Sequence, residues 1–267
     1  MAEVSVIMPA RNCEAFIGDA INSVLNQSFS DLELIIIDDQ SEDSSRAIAE
    51  EIKDKRIKIV NGSLKGIASA KNQGLEIASG KFLMFCDADD LFMQNSVEKL
   101  ISFLNQNSDI GAVCAQFNLM DYQGSTIVSL NQPDFRHEIT DKLLEGNTLT
   151  HLCTFCVRSE FVKKIEGFRD FFVTAEDIDF QLRLAEVCKI VYIPIATYLY
   201  RLHNSSITHI QSSSRKEFYE KTARLFSEQR KLSGADELQL GRLPSIPIDG
   251  HDPSTDAKKT ITRCVNW

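Results

Sequence analysis

Four short apolar runs, "VSVIM" (residues 4–8), "LELIIID" (32–38), "RIKIV" (56–60) and "KFLMFC" (81–86), are separated by segments with helical spacing. Runs of this length bounded by polar clusters read as strands buried on both faces. Between the first two, Phe16, Ile17, Ala20, Ile21, Val24 and Leu25 recur at the three- and four-residue intervals that put them on one side of a helix. "SEDSSRAIAEEIK" (41–53) opens a second helix and "IASAKNQGLEIA" (67–78) a third, ended by Gly80. A βαβαβαβ series commits the chain to an α/β architecture: a mostly parallel sheet, helices on both faces and right-handed crossovers. In open sheets of this type ligands sit beyond the carboxyl ends of the strands. Those ends read "PARN", "DDQSED", "NGSLKG" and "DADD", so the fold gathers polar and acidic loops along one edge.

After residue 100 the pattern changes. "IGAVCAQFNLM" (110–120) reads as a strand, "DYQGST" (121–126) as a hairpin turn and "HLCTFCV" (151–157) as another strand. Residues 176–186 form a helix preceded by Thr174, and "KIVYIPIATYLYRLH" (189–203) reads as two extended segments hinged at Pro194. Residues 213–232 form a helix with Tyr219, Ala223 and Phe226 along one side and Arg215, Lys216, Lys221, Arg224, Arg230 and Lys231 among its polar positions. The last 35 residues carry little periodicity and read as a loosely packed tail.

Composition narrows the function. A chain of 267 residues, 43% hydrophobic, can bury a full core. A net charge of −9 argues against gripping nucleic acid over a broad surface. Seven scattered cysteines point to a reducing compartment, and the Cys153-x-x-Cys156 pair has no second pair to complete a zinc site. "MAEVSVIMPA" has no basic stretch ahead of an apolar one and reads as a strand, not a leader. No apolar run approaches the roughly 20 residues that span a bilayer. A cytoplasmic protein, at most peripheral at the membrane, is the expectation.

The acidic end of the fourth strand carries the chemistry. Asp87 and Asp89, two apart on an extended chain, point the same way and can face one ligand. Two hard carboxylates suit Mg2+ or Mn2+, which complete their shells with water and substrate phosphates. From these residues alone, a solvated turn with Asp90 or Asn95 capping the helix from Ser96 accounts for them equally. A calcium loop starting at Asp87 is excluded, since Phe92 stands where glycine is required. An aspartyl phosphatase is disfavoured by Leu91 at the fifth position of its motif.

Five segments, "VSVIMPARN", "LIIIDDQSEDSS", "GIASAKNQGLEIASGKFLMFCDADD", "TAEDIDFQLRLA" and "YLYRLHNSSIT", resemble in order and spacing the family 2 inverting glycosyltransferases. The resemblance implies a single Rossmann-like domain of the A-type glycosyltransferase fold with a C-terminal helical extension. Residues 1–210 would form the catalytic domain, with 1–100 as the nucleotide-binding half and 101–210 as the acceptor-side half, followed by a helix and tail at 211–267. Asp87-Ala88-Asp89 resembles the family's Asp-x-Asp element, which holds a divalent cation, Mn2+ or Mg2+, on the diphosphate of a nucleotide sugar. The resemblance assigns the metal to Asp87, Asp89 and His203, with Asp89 as the foremost ligand and Asp87 also on the ribose or an outer water. It places the donor against Pro9, Ala10, Arg11, Asn12, Asp39, Ser41, Lys71, Asp87 and Ala88. Asp39 can accept from the N3–H of uracil or thymine, which favours UDP- or dTDP-sugars. Arg11 departs from the aromatic residue common there and can stack on the base as a guanidinium. Lys71, often Arg in relatives, would lie near the diphosphate; alone it reads as a solvated helix lysine.

Asp177 matches the residue that takes the acceptor proton. Thr174-Ala175-Glu176-Asp177 also fits a capping box, with Asp177 reaching back to the Thr174 amide. Processive relatives resemble a Gln-x-x-Arg-Trp motif, but Gln181 is followed by "LRLA" and the only tryptophan is Trp267. The implied activity is metal-dependent, inverting, non-processive transfer to a hydroxyl of a glycan or lipid-linked saccharide. The alternatives are a non-catalytic nucleotide-sugar-binding partner of a polysaccharide assembly complex and a sugar nucleotidyltransferase, whose glycine-rich first loop "PARNCEAF" lacks. The basic helix at 213–232 suggests weak, salt-sensitive contact with anionic lipid, against the alternative that its apolar side packs on the catalytic domain.

Overall fold

A computed structural model describes residues 2–129, 134–203 and 213–246. Strand β1 (Val4–Ala10) lies between β2 (Leu32–Asp38) and β4 (Phe82–Phe85), with β3 (Ile57–Asn61) outside β2, all four parallel. Every residue of β2 and β4 is buried, which is why their sequences show no alternation. Helices α1 (Ile17–Leu25), α2 (Ser45–Glu51) and α3 (Ile67–Ile77) make the connections. The chain winds outward from β1 to β3, then returns through α3 to place β4 on the opposite side of β1. This reversal opens a crevice at the carboxyl ends of β1 and β4.

The second half extends the same sheet with mixed pairing. After α4 (Ser96–Gln106) come β6 (Ile110–Met120) and, inserted antiparallel between β4 and β6, the short β9 (Cys156–Arg158). Strand β10 (Lys189–Arg201) runs parallel to β6, and β5 (Leu91–Phe92) pairs antiparallel with β10. Two further short strands, β7 (Thr126–Ser129) and β8 (His137–Glu138), pair with β6 and β10. Helices α5 (Thr140–Leu144), α6 (Ser159–Lys164) and α7 (Glu176–Ala185) fill this half.

Three expectations change. "HLCTFCV" is not one strand: Leu152–Thr154 is a 3-10 turn and only the end enters β9. The segment around Pro194 is one strand, with a pairing irregularity between Tyr192 and Ala196 that absorbs the missing proline N–H. The segment after residue 232 is not wholly loose, since Asp236 is completely buried; residues 247–267 lie outside the described residues.

Helix α8 (Ser213–Ser233) buries Tyr219, Ala223 and Phe226 completely, with Phe171 and Phe172 against them. Its apolar side is therefore spent on the protein interior, as the non-membrane alternative holds. Several of its cations are engaged as well: Arg230 pairs with Glu186 at 2.7 Å and with Asp236, Arg224 donates to the Gly146 carbonyl, and Lys221 pairs with Glu217. Arg169 joins Asp236 to Asp179, and Arg183 also binds Asp179, so a buried ionic chain ties α8 to α7. No helix among the described residues is long and apolar enough to cross a membrane.

One buried carboxylate braces the parallel strands. Glu33 of β2 accepts from Ser5 Oγ of β1 at 2.6 Å and from the Ser79 amide and hydroxyl at 2.8 Å, and pairs with Lys58 of β3. Burial opposes its charge, but Lys58 and the serine donors outweigh it and lower its pKa to about 2. A depressed carboxyl stabilises the fold above its unfolded pKa of about 4.3 and loses that contribution as pH falls through the folded value. Glu33→Gln is expected to lower stability at neutral pH by about 1–3 kcal/mol. The gap should shrink as pH falls below about 4; urea unfolding that shows a pH-independent gap would refute this account.

Candidate active site

The first two strand ends are bound to each other. Asp39 donates its backbone N–H to the Ala10 carbonyl at 2.8 Å, and Asn12 N donates to Ser41 Oγ while Asn12 Oδ1 accepts from Glu42 N. Pro9 lies within β1 and Arg11 projects into solvent beyond it. Asp39 Oδ1 accepts from the Leu64 N–H at 2.6 Å. Gly62 is required beside it, since a Cβ there would come within 2.5 Å of that oxygen. Asn12, Gln40 and Leu64 all hold left-handed backbone, at φ of 49°, 60° and 58°. Strain of this kind, of order 1–3 kcal/mol per residue, persists where surrounding contacts over-determine the loop.

At the end of β4, Asp87–Asp90 forms a turn closed by the Asp90 N–H on the Asp87 carbonyl at 3.1 Å. The strand ends before Asp87, so strand alternation does not set the two carboxylates. Asp89 Oδ2 lies 2.8 Å from His203 Nε2. Asp87 Oδ1 is buried without a hydrogen-bond partner among the described residues, and the Tyr198 hydroxyl accepts from the Asp87 amide. Ala88 is buried between them. The capping reading fails: Asp90 is 1% exposed and accepts from the Arg201 N–H at 2.7 Å, and Asn95 makes no side-chain cap. Burial, then the charges of Asp89 and Asp87, push the Asp90 carboxyl well above its ordinary range.

Lys71 is no solvated lysine. Only 2% exposed, it pairs with Glu176 at 2.8 Å. Burial works against its charge, but Glu176 and then Asp87 hold the ammonium well above its usual pKa. Gly74 explains how it gets there: a Cβ would come within 2.5 Å of the Ile7 side chain, so glycine lets α3 lie close on β1. Lys71, one turn earlier on the same face, is carried under the strand ends. Glu176 opens α7 beside Asp177, which is half-buried. The capping box does not form: the residue before the helix is Ala175, at φ 58°, and no side chain caps it.

Several residues at this site were not singled out from the sequence. Arg201 donates Nε to the Asp89 carbonyl and Nη1 to the Tyr122 carbonyl, with its guanidinium 4.8 Å from the Phe16 ring. Tyr198, Arg201 and His203 belong to one stretch of β10 and its end, so the motif that flagged His203 contained the signal for the others. Glu176 was legible only as half of an acidic pair, Cys153 only as half of a Cys-x-x-Cys pair set aside as a zinc site, and His151 was hidden in an apolar run. Asp89 and His203 form an oxygen and nitrogen pair that fits a hard divalent cation, whereas among the described residues the ligand cluster that contains Asp87 is the one with His151 and Cys153.

The chain is similar to known glycosyltransferases in sequence and fold. The chain is similar to an uncharacterized glycosyltransferase of Haemophilus influenzae, 29% identical over 233 residues, which cover 83% of this chain and 72% of that one. It is 42% identical over 106 residues to a protein of Escherichia coli named UDP-Glc:alpha-D-GlcNAc-diphosphoundecaprenol beta-1,3-glucosyltransferase WfgD, covering 39% of this chain and 42% of that one. A chondroitin synthase of Pasteurella multocida matches 80% of this chain at 29% identity, and this chain spans 22% of its length. In fold it is similar to S. aureus TarS 1-349, solved with UDP-GlcNAc, with a TM-score of 0.70 and 22% identity, covering 82% of this chain and 64% of that one. The model of the family "Glycosyl transferase family 2" matches residues 5–165, and the chain belongs to that family.

Proposed function

We propose that this chain is a metal-dependent, inverting, non-processive glycosyltransferase that moves a sugar from a UDP- or dTDP-sugar to a hydroxyl of a glycan or lipid-linked saccharide. The observation that carries the reading is the Asp89–His203 pair at the end of β4, supported by the buried Lys71, whose partner Glu176 directly precedes the half-buried Asp177. Asp87, Asp89 and His203 would hold Mn2+ or Mg2+, which when bound supplies Lewis-acid neutralisation of the leaving diphosphate. Lys71, charged and fixed by Glu176, adds a second positive charge in a dry setting where it costs no reorganisation. Asp39 Oδ1 is used by Leu64, and its second carboxylate oxygen is the acceptor offered to the N3–H of a uracil or thymine ring.

Asp177 accepts the proton of the attacking hydroxyl. A single displacement assisted by a single base inverts the anomeric centre. Uridine donors are supported by the TarS complexes with UDP-GlcNAc and UDP and by the UDP-Glc named for WfgD. WfgD's named acceptor, a diphosphoundecaprenol-linked sugar, favours a lipid-linked saccharide here too. Because the apolar side of α8 is buried, any contact with an anionic membrane surface would be electrostatic and salt-sensitive. The non-catalytic alternative gains no support from a site in which Asp177 serves no capping role.

Asp177→Asn cannot take a proton at neutral pH. Turnover should fall by about 10²–10⁴ with donor affinity and thermal stability nearly unchanged; activity within about tenfold of the parent would remove Asp177 as the base. A second test separates charge from packing at Lys71. Lys71→Met alone strands a buried Glu176 and should cost about 3–5 kcal/mol. The double variant Lys71→Met/Glu176→Gln should recover most of that stability yet bind a UDP-sugar more weakly than the parent. Parent-like donor affinity in the double variant would take Lys71 out of the donor site.

A further inference from the structure

Asp87 and Asp89 of the Asp87–Asp90 turn serve different surroundings. Asp89 meets an imidazole, a hard oxygen and nitrogen set. Asp87 instead shares its space with His151 and Cys153: ligand atoms of the three side chains all lie within 4.8 Å of one another. His151 caps the 3-10 turn at Leu152–Thr154 that contains Cys153, so both ligands sit on one short turn. Cys153 is 1% exposed, and Asp87 Oδ1 is buried with no hydrogen-bond partner among the described residues.

The cluster is held in place by its surroundings. The His151 ring stacks on Tyr198 at 6.0 Å and packs against Tyr200 at 5.5 Å, while the Tyr198 hydroxyl accepts from the Asp87 amide. The hydrogen bond from the Cys153 N–H to His151 Nδ1 is long, at 3.4 Å, and cheap to exchange for a stronger bond. Lys71 acts on both Asp87 and Cys153 and is itself paired with Glu176 at 2.8 Å. Burial and the Asp87 charge keep the Cys153 thiol protonated in the metal-free site; once a metal displaces that proton, sulfur, imidazole and carboxylate form a three-ligand zinc set with an open fourth position, softer than the set preferred by Mg2+ or Mn2+.

We propose that Asp87, His151 and Cys153 form a binding site for a thiophilic divalent cation, Zn2+, whose occupancy withdraws Asp87 from the donor site and inhibits sugar transfer. Binding replaces the Cys153 S–H with an S–Zn bond and releases the proton to solvent. The inhibitory half rests on the function proposed above; the binding half does not.

Co2+ in place of Zn2+ reports the ligands directly in the full chain, through tetrahedral visible bands and a thiolate-to-metal charge-transfer band in the ultraviolet. The parent and Cys156→Ser, whose sulfur lies in β9 outside the cluster, should both show the thiolate band. Asp89→Asn should keep it as well. Cys153→Ser should lose it, and His151→Ala should weaken Zn2+ binding by about 10- to 100-fold or more. Should Cys153→Ser not fold, His151→Ala alone decides. A band that survives in Cys153→Ser, absence of a band in the parent, or unaltered affinity in His151→Ala overturns the site. Zn2+ titrated against Mn2+-supported transfer should inhibit the parent, and about tenfold or more weaker inhibition is expected in His151→Ala. Binding at Cys153 without inhibition would overturn the inhibitory half.

Discussion

Mutual repulsion among Asp87, Asp89 and Asp90 is the constraint around which the carboxyl edge of this sheet is arranged. Three carboxylates in one turn cannot be held beside an apolar strand unless other elements answer them, and the fold brings those answers from a distance. The Arg201 N–H and Nε bind Asp90 and the Asp89 carbonyl, His203 meets the Asp89 carboxylate, and Lys71 acts on Asp87. Asp90 shows that the answer is incomplete, since burial and its two neighbours still push its carboxyl up. Residual negative charge of this kind is what a cation with a bound diphosphate would balance.

The remainder of the fold fixes the groups that surround this charge. Glycine at 74 brings α3 onto β1 and so delivers Lys71; glycine at 62 makes room for Asp39. The backbone at Asn12, Gln40, Leu64 and Ala175 is left-handed in loops that border the crevice, so its rim is over-determined by contacts behind it. Helix α7, which presents Glu176 and Asp177, is anchored two residues on by Asp179, completely buried between Arg169 and Arg183. Arg169 in turn reaches Asp236, beyond α8. The C-terminal helix thus supports the proposed base through a chain of ion pairs that runs through Arg230 and Asp236 to Asp179.

The first half of the molecule was legible in the sequence because parallel strands buried on both faces write themselves as uninterrupted apolar runs, and strand-end loops as polar clusters. Val4–Ala10, Leu32–Asp38 and Ile67–Ile77 lie where their patterns put them. What failed did so for separate local reasons. The run around Leu152–Thr154 is apolar because it is buried, and burial alone does not separate a turn from a strand. Pro194 suggested a hinge, yet a pairing irregularity accommodates it within one strand. At the site, the motifs pointed to Asp89 and His203, which lie 2.8 Å apart, whereas the Lys71–Glu176 pair joins residues far apart in sequence and only tertiary packing reveals it.

The claim that this acidic edge is completed by a cation together with a nucleotide diphosphate is tested most directly by thermal unfolding of the parent and of Asp89→Asn with UDP, with Mn2+, and with both. The expected result is a rise in Tm for the parent that requires UDP and Mn2+ together, and its loss in Asp89→Asn without change in the ligand-free Tm. An equal rise with UDP alone, or an undiminished rise in Asp89→Asn, would contradict the account.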